Sequence, residues 1–178
     1  MNRALFLDRD GIINHDHGYV FQPEQFDFID GIFTLCQHAQ QQGLKIIVIT
    51  NQSGIGRGMY SEQQFLDLTK WMMEAFNKKG IHITDVFFCP HHPTKAQGDY
   101  KVACQCRKPE PGMILEAAKK HHIDLKQSIF IGDKVSDLKA AQNAGVHNRI
   151  LLQGHYGDDQ AIEGHRIEKL LDSLQFIN

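Results

Sequence analysis

Two carboxylates one residue apart, Asp8 and Asp10, close the apolar run Leu5-Phe6-Leu7 and are followed by Gly11. A short apolar run broken by polar residues reads as a buried strand ending at the break. In open parallel sheets, ligands sit in the crevice outside the carboxyl ends of the strands. Alternation puts residues i and i+2 on the same side while strand geometry persists, so both anions would face one site. Brought together, they repel unless a proton or a cation is shared. A hard divalent ion such as Mg²⁺, which takes oxygen ligands, meets that need. Alone, Asp-x-Asp-Gly is also ordinary turn composition. The downstream chain strengthens the chemical reading, because it supplies three more polar strand ends.

Residues 45–49 run into Thr50, Asn51, Gln52 and Ser53; residues 86–88 run into Cys89; residues 128–132 run into Asp133 and Lys134. Lys108 follows a long polar segment. A nucleophilic carboxylate, a second carboxylate, a hydroxyl, a lysine and a metal-holding aspartate are the parts of a phosphoryl-transfer site. The segment 89–107 carries a second constellation: Cys89, His91 or His92, Cys104 and Cys106. Three thiols and an imidazole are the ligand set of a closed structural Zn²⁺ site. The close spacing within each pair is tighter than in common zinc fingers, and it does not choose between the two histidines. The segment has no clear periodicity and few apolar residues, so it needs an anchor other than a core. Zinc would supply one, and would fix Arg107 and Lys108 immediately downstream. Cys36 lies on an apolar helical stripe and reads as core.

The elements that must position these groups alternate along the chain. Helical spacing is expected over residues 31–43, over 61–80 behind a Ser61/Gln64 capping box, over 112–122 and over 136–144. A last strand is expected at 149–152, with a short helix through Leu170 and Leu171. Strand, helix, strand, helix predicts an α/β fold: a three-layer, Rossmann-like parallel sheet with helices on both faces. Residues 14–19 form a polar loop long enough to overhang the first strand's end. With 178 residues, the chain is expected to be one domain, 1–178, including the loop at about 89–107. Nineteen basic and twenty-one acidic residues give a net charge of −2, which argues against a nucleic-acid partner. No stretch approaches the length of a membrane span, and no signal peptide precedes the first strand, so a cytoplasmic location is the expectation. The cysteines would then be reduced and free to bind metal. No unexplained apolar stripe demands a second copy, so a monomer is expected.

Taken together, Asp8-Arg9-Asp10-Gly11, Ile49-Thr50-Asn51, Lys108-Pro109 and Gly132-Asp133-Lys134 with Asp137 resemble, in order, the four motifs of the haloacid dehalogenase superfamily of phosphatases. The resemblance implies that Asp8 is the nucleophile forming an aspartyl-phosphate, and that Asp10 is the general acid and then the base. It implies that Thr50 and Lys108 hold phosphoryl oxygens. Mg²⁺ would be held by Asp8, Asp133 and the backbone carbonyl of Asp10, with Asp137 behind the site orienting Lys134. The zinc loop is similar to that of a small branch without a large cap domain, which contains heptose bisphosphate and histidinol phosphate phosphatases, and the likeness favours His91 as the fourth ligand. Asp16-His17-Gly18-Tyr19, residues 50–54 and residues 107–112 resemble the heptose type; Ile12, where a threonine is usual, departs from it. The implied substrate is a small sugar bisphosphate on the route to ADP- or GDP-heptose for lipopolysaccharide, with histidinol phosphate as the alternative. Its contacts would come from Asp16, His17, Gly18, Tyr19, Thr50, Asn51, Gln52, Ser53, Lys108 and Lys134. Arg107 is suited to the phosphate that does not react.

Overall fold

The computed structural model describes residues 1–153 and 162–178. Its centre is a six-stranded sheet in the order β3-β2-β1-β4-β5-β6. The strands are β1 (Arg3–Leu7), β2 (Leu44–Asn51), β3 (Ile83–Cys89), β4 (Ile129–Gly132), β5 (Asn148–Leu152) and β6 (His165–Ile167). Every neighbouring pair is parallel, as the alternation of elements requires. Period-two alternation divides the apolar residues between the faces. Leu5, Leu7, Ile46 and Val48 pack with Ile32, Leu35, Cys36 and Ala39 of α1 (Ile32–Gln41), and with Leu68, Met72 and Phe76 of α3 (Glu62–Asn77). Ala4, Phe6, Ile47 and Ile49 pack with Met113, Ile114 and Ala117 of α4 (Gly112–His121), and with Ala140 and Ala141 of α5 (Val135–Ala144). Cys36 is fully buried among these side chains.

Local signals behave as expected at helix ends. Ser61 Oγ accepts from Gln64 N at 3.1 Å, and Ser61 N donates to Gln64 Oε1 at 2.9 Å. This reciprocal pair starts α3 where the capping pattern places it. Three elements differ from the sequence reading. Residues 53–56, for which no element is expected, form the one-turn helix α2 (Ser53–Gly56), and 149–152 is not the last strand, since β6 follows. At three residues with one buried side chain, β6 is too short to show a period. The expected final helix is a 3₁₀ segment, Leu170–Phe176. Among the described residues, no helix is long and apolar enough to cross a membrane.

Parallel register gathers the strand ends on one edge. Leu7 pairs with Val48 and Ile131, while Asn51 pairs with Cys89. β1 lies between β2 and β4, where chain order reverses, which is the position of the ligand crevice in open α/β sheets.

Candidate active site and metal centre

A cleft of about 540 Å³ opens over that edge. Asp8, Asp10, Asp16, His17, Gly18 and Tyr19 line one part of it; Asn51, Gln52, Ser53, Lys108 and Lys134 line the rest with Gly54, Tyr60, Ser136 and Asp137. Asp8 leaves the end of β1 and is buried, as are Asp133 at the end of β4 and Asp137 in the first turn of α5. Their nearest carboxylate oxygens all lie within 4.8 Å of one another. Lys108 joins this cluster. Its Nζ donates to Asp8 Oδ1 at 2.9 Å and to Ile49 O at 2.9 Å, and pairs with Asp137 Oδ1 at 2.7 Å. Its three protons are thereby matched to three acceptors. Burial disfavours its charge, but Asp137 and Asp8 outweigh that and hold its pKa above the ordinary lysine range.

Three buried carboxylates around one ammonium leave excess negative charge. Burial and the neighbouring Asp137 push Asp8 above the usual carboxylate range, against the pull of Lys108. Burial and Asp8 do the same to Asp133. Asp133 Oδ1 is buried with no hydrogen-bond partner. Gly11, with φ +94°, lies so close that a Cβ there would stand 2.0 Å from Asp133 Oδ2. An orphaned buried oxygen, excess anionic charge and a backbone cradle fit a small hard cation such as Mg²⁺. Asp137 is already committed. One oxygen pairs with Lys108, and the other accepts from the backbone N–H groups of Asp133 and Lys134. The side chain it orients is therefore Lys108, where the sequence pointed to Lys134. Lys134 instead faces Asp16 across the cleft at 3.9 Å.

Asp10 has a different environment. Arg9 Nη2 at 2.8 Å and Asn14 Nδ2 at 3.0 Å donate to its Oδ1, and Gln52 Nε2 at 3.0 Å donates to its Oδ2. Burial raises its pKa, but the Arg9 guanidinium and these donors outweigh burial and bring it below the ordinary range. The groups at the end of β2 face more than one way. Thr50 is fully buried, with its hydroxyl accepting from Gln52 Nε2 at 2.9 Å. The Asn51 amide clasps the Lys108 backbone, accepting from its N–H at 3.0 Å and donating to its carbonyl at 3.3 Å. Thr50, Asp133 and Arg107 do not line the cleft. Arg107 Nη1 donates to His91 O at 3.5 Å. Tyr60 and Ser136 are missed in the sequence, because no local pattern points their side chains at β1.

The cysteine loop closes on itself. Cys106 Sγ lies 2.9 Å from Cys89 Sγ and 3.4 Å from Cys104 Sγ; Cys89 and Cys104 are 3.5 Å apart. His91 Nδ1 is 3.5 Å from Cys89 Sγ and 3.4 Å from Cys106 Sγ. Four ligands at about 2.0–2.3 Å from one zinc ion would stand somewhat under 4 Å apart, at roughly 3.5–3.8 Å. The cluster is close to that size and could hold the ion. The histidine ambiguity is resolved by packing: His91 faces the thiols, whereas His92 Nδ1 accepts from the backbone N–H groups of Thr94 and Lys95.

Comparison with known proteins agrees with this geometry. A HAD-hydrolase-like family model matches residues 105–176. The chain is 52% identical over 151 residues to D-glycero-alpha-D-manno-heptose-1,7-bisphosphate 7-phosphatase of Burkholderia mallei, covering 85% of this chain and 80% of the relative. It is 51% identical over 152 residues to the beta-anomer enzyme of Helicobacter pylori, covering 85% and 84%. The crystal structure of D,D-heptose 1,7-bisphosphate phosphatase from B. bronchiseptica, complexed with magnesium and phosphate, superposes with a TM-score of 0.85 at 28% identity. That match covers 98% of this chain and 97% of the other. With its carboxylate cluster, its lysine and these relatives, the chain belongs to the HAD-like family of D-glycero-D-manno-heptose-1,7-bisphosphate 7-phosphatases.

Proposed function

We propose that this protein is a Mg²⁺-dependent phosphatase that removes the 7-phosphate of D-glycero-D-manno-heptose 1,7-bisphosphate through an aspartyl-phosphate on Asp8. The observation that carries the reading is the buried Asp8–Lys108–Asp137 array beside Asp133, in a chain about half identical to the B. mallei and H. pylori enzymes. Asp8, Asp133 and the Asp10 carbonyl would hold Mg²⁺, whose charge offsets repulsion between the attacking carboxylate and the phosphate dianion. Lys108, ordered by Asp137 and by the Asn51 clasp on its backbone, presents positive charge to the phosphoryl oxygens. Asp8 attacks phosphorus as the P–O bond to the sugar breaks, and Asp10 gives its proton to the departing oxygen. Asp10 then takes a proton from the water that cleaves the aspartyl-phosphate. A phosphate dianion beside Asp10 raises its pKa for the first step, and the donors on both its oxygens favour the carboxylate needed in the second.

The rest of the cleft suits a sugar. Asp16, His17, Gly18, Tyr19 and Ser53 offer hydroxyl-binding groups, with Lys134 at the rim. Arg107 is proposed for the distal phosphate. Its 3.5 Å contact with the His91 carbonyl is long and is given up at little cost, while a guanidinium can pair two phosphate oxygens. The Cys89/His91/Cys104/Cys106 cluster is proposed as a structural zinc site that holds this residue in place. The whole chain is proposed to work as one domain, in the cytoplasm, on the route to an activated heptose.

Phosphate release from a panel of substrates tests the assignment. The heptose bisphosphate is expected to exceed histidinol phosphate, whose cationic amine mismatches Arg107, by a wide margin in kcat/KM. Arg107→Ala is expected to lower kcat/KM for the bisphosphate by about 10- to 100-fold, and to spare p-nitrophenyl phosphate. Faster turnover of histidinol phosphate would sink the substrate reading.

A further inference from the structure

Gln52 sits at the cleft edge, yet its side chain is spoken for. The residue is 2% exposed, and its Nε2 donates to Asp10 Oδ2 at 3.0 Å and to Thr50 Oγ1 at 2.9 Å. Its Oε1 accepts from the hydroxyl of Tyr60. Both amide protons and the carbonyl are therefore used. An amide has two orientations of nearly equal shape, and its hydrogen-bond partners decide between them. Here Asp10 and Tyr60 set it together: the carboxylate takes the NH₂, and the Tyr60 proton holds the amide oxygen on the far side. The reverse orientation would set a carbonyl oxygen against that carboxylate.

Tyr60 is well held for this task. It is 6% exposed, and its ring stacks on Phe21 at 5.3 Å between centroids and 9° between planes. Gly54 makes room for it, since a Cβ there would lie 2.3 Å from Tyr60 Cε1 and 2.9 Å from Tyr19 Cδ1. Burial pushes the Tyr60 phenol up to about 12, so it keeps its proton throughout the physiological range. The opposite side of Asp10 is held by Arg9, whose Nη2 also donates to Val20 O at 2.8 Å. The consecutive residues Val20 and Phe21 thus brace Asp10 from both sides, through Arg9 and through Tyr60–Gln52.

We propose that Tyr60 is a positioning residue for proton transfer: by orienting the Gln52 amide, it fixes the Asp10 carboxyl against the leaving oxygen of the substrate. A bond forms between an Asp8 oxygen and phosphorus, the bond from phosphorus to the sugar oxygen breaks, and that oxygen keeps the electron pair and takes the Asp10 proton. An alkoxide leaving group needs this proton, whereas p-nitrophenolate leaves well without it. The inference rests on the phosphatase reading above, and predicts a loss that depends on the leaving group.

The test uses the Mg²⁺-loaded full chain and follows leaving-group release in a single turnover. Tyr60→Phe keeps the ring and removes only the donor. It is expected to slow release from the heptose bisphosphate by about 10- to 100-fold with KM within about twofold, and to slow p-nitrophenyl phosphate by no more than about threefold. Gln52→Met is expected to give the same selective loss. The double variant is expected to be no slower than Gln52→Met alone, because Tyr60 acts through the amide. A raised KM with unchanged kcat would make Tyr60 a substrate contact and overturn the proposal. Equal loss on both substrates, or additive losses in the double variant, would overturn it too. If the parent chain hydrolyses p-nitrophenyl phosphate but not the bisphosphate, the substrate assignment falls. The alkoxide arm then uses glucose 6-phosphate, so the two readings fail separately.

Discussion

Lys108→Met should expose how much of this site is held together by one cation. Met keeps an unbranched stem of similar length and removes the charge. In the parent, Nζ meets Asp8 Oδ1 at 2.9 Å, Asp137 Oδ1 at 2.7 Å and the Ile49 carbonyl at 2.9 Å, with the lysine only 4% exposed. Removing one partner of a buried charge pair costs about 3–5 kcal/mol, because the remaining charges stay buried without compensation. For a chain of this size each kcal/mol moves Tm by about 2–4 °C, so metal-free Lys108→Met should melt roughly 6–20 °C lower at about pH 8. The loss must depend on pH. Asp8 and Asp133 already titrate above their ordinary range through burial and repulsion from neighbouring carboxylates, Asp137 beside Asp8 and Asp8 beside Asp133. The folded state therefore binds more protons than the unfolded one, and their contribution to stability falls as pH rises above about 4. Without Lys108 that slope steepens, so the Tm deficit should shrink near pH 5.5, where Asp8 and Asp133 take up protons. Differential scanning calorimetry of metal-free protein at the two pH values, with and without added Mg²⁺, measures this. Mg²⁺ should recover part of the deficit at pH 8 by restoring positive charge. An unchanged Tm, or an equal deficit at both pH values, would refute the account of Lys108 as the cation balancing three carboxylates.

Two further outcomes follow from the proposed nucleophile and the cysteine cluster. Asp8→Asn retains the shape of the side chain but loses the attacking anion, so turnover should drop about 10³-fold or more while the circular dichroism spectrum stays that of the parent. Near-parent turnover in homogeneous, non-deamidated protein would remove Asp8 from that role. Elemental analysis of protein purified under reducing conditions without added metal should find about one zinc per chain, and Cys104→Ser should raise proteolysis within residues 92–103. Fully active, zinc-free protein would end the structural-metal reading.

Much of this molecule was legible because it is written in short-range patterns. Period-two alternation in residues 4–7 and 46–49 assigns side chains to the two sheet faces, and each polar break marks a strand end. The Ser61–Gln64 box marks a helix start through bonds spanning three residues. The alternation of elements then leaves few topologies besides a parallel sheet, so the acidic and polar strand ends had to converge. What depends on contacts between distant segments was not legible. Lys108 reaches Asp8 across one hundred positions in the sequence, and Asp137 turns to that lysine, because α5 presents its first turn to the cluster. Tyr60 and Gln52 lie outside helix and strand on either side of α2, so no period links them, and close packing at Gly54 and Phe21 aims one at the other. His91 and His92 are equivalent in spacing; the fold separates them by directing one ring at three thiols and the other at the backbone N–H groups of its own turn. The sequence by itself determined which chemical groups stand at the sheet edge, because periodicity and capping are local. The tertiary structure decided which of them touch, because orientation and pairing in a buried site are set by neighbours that the chain brings in from far away.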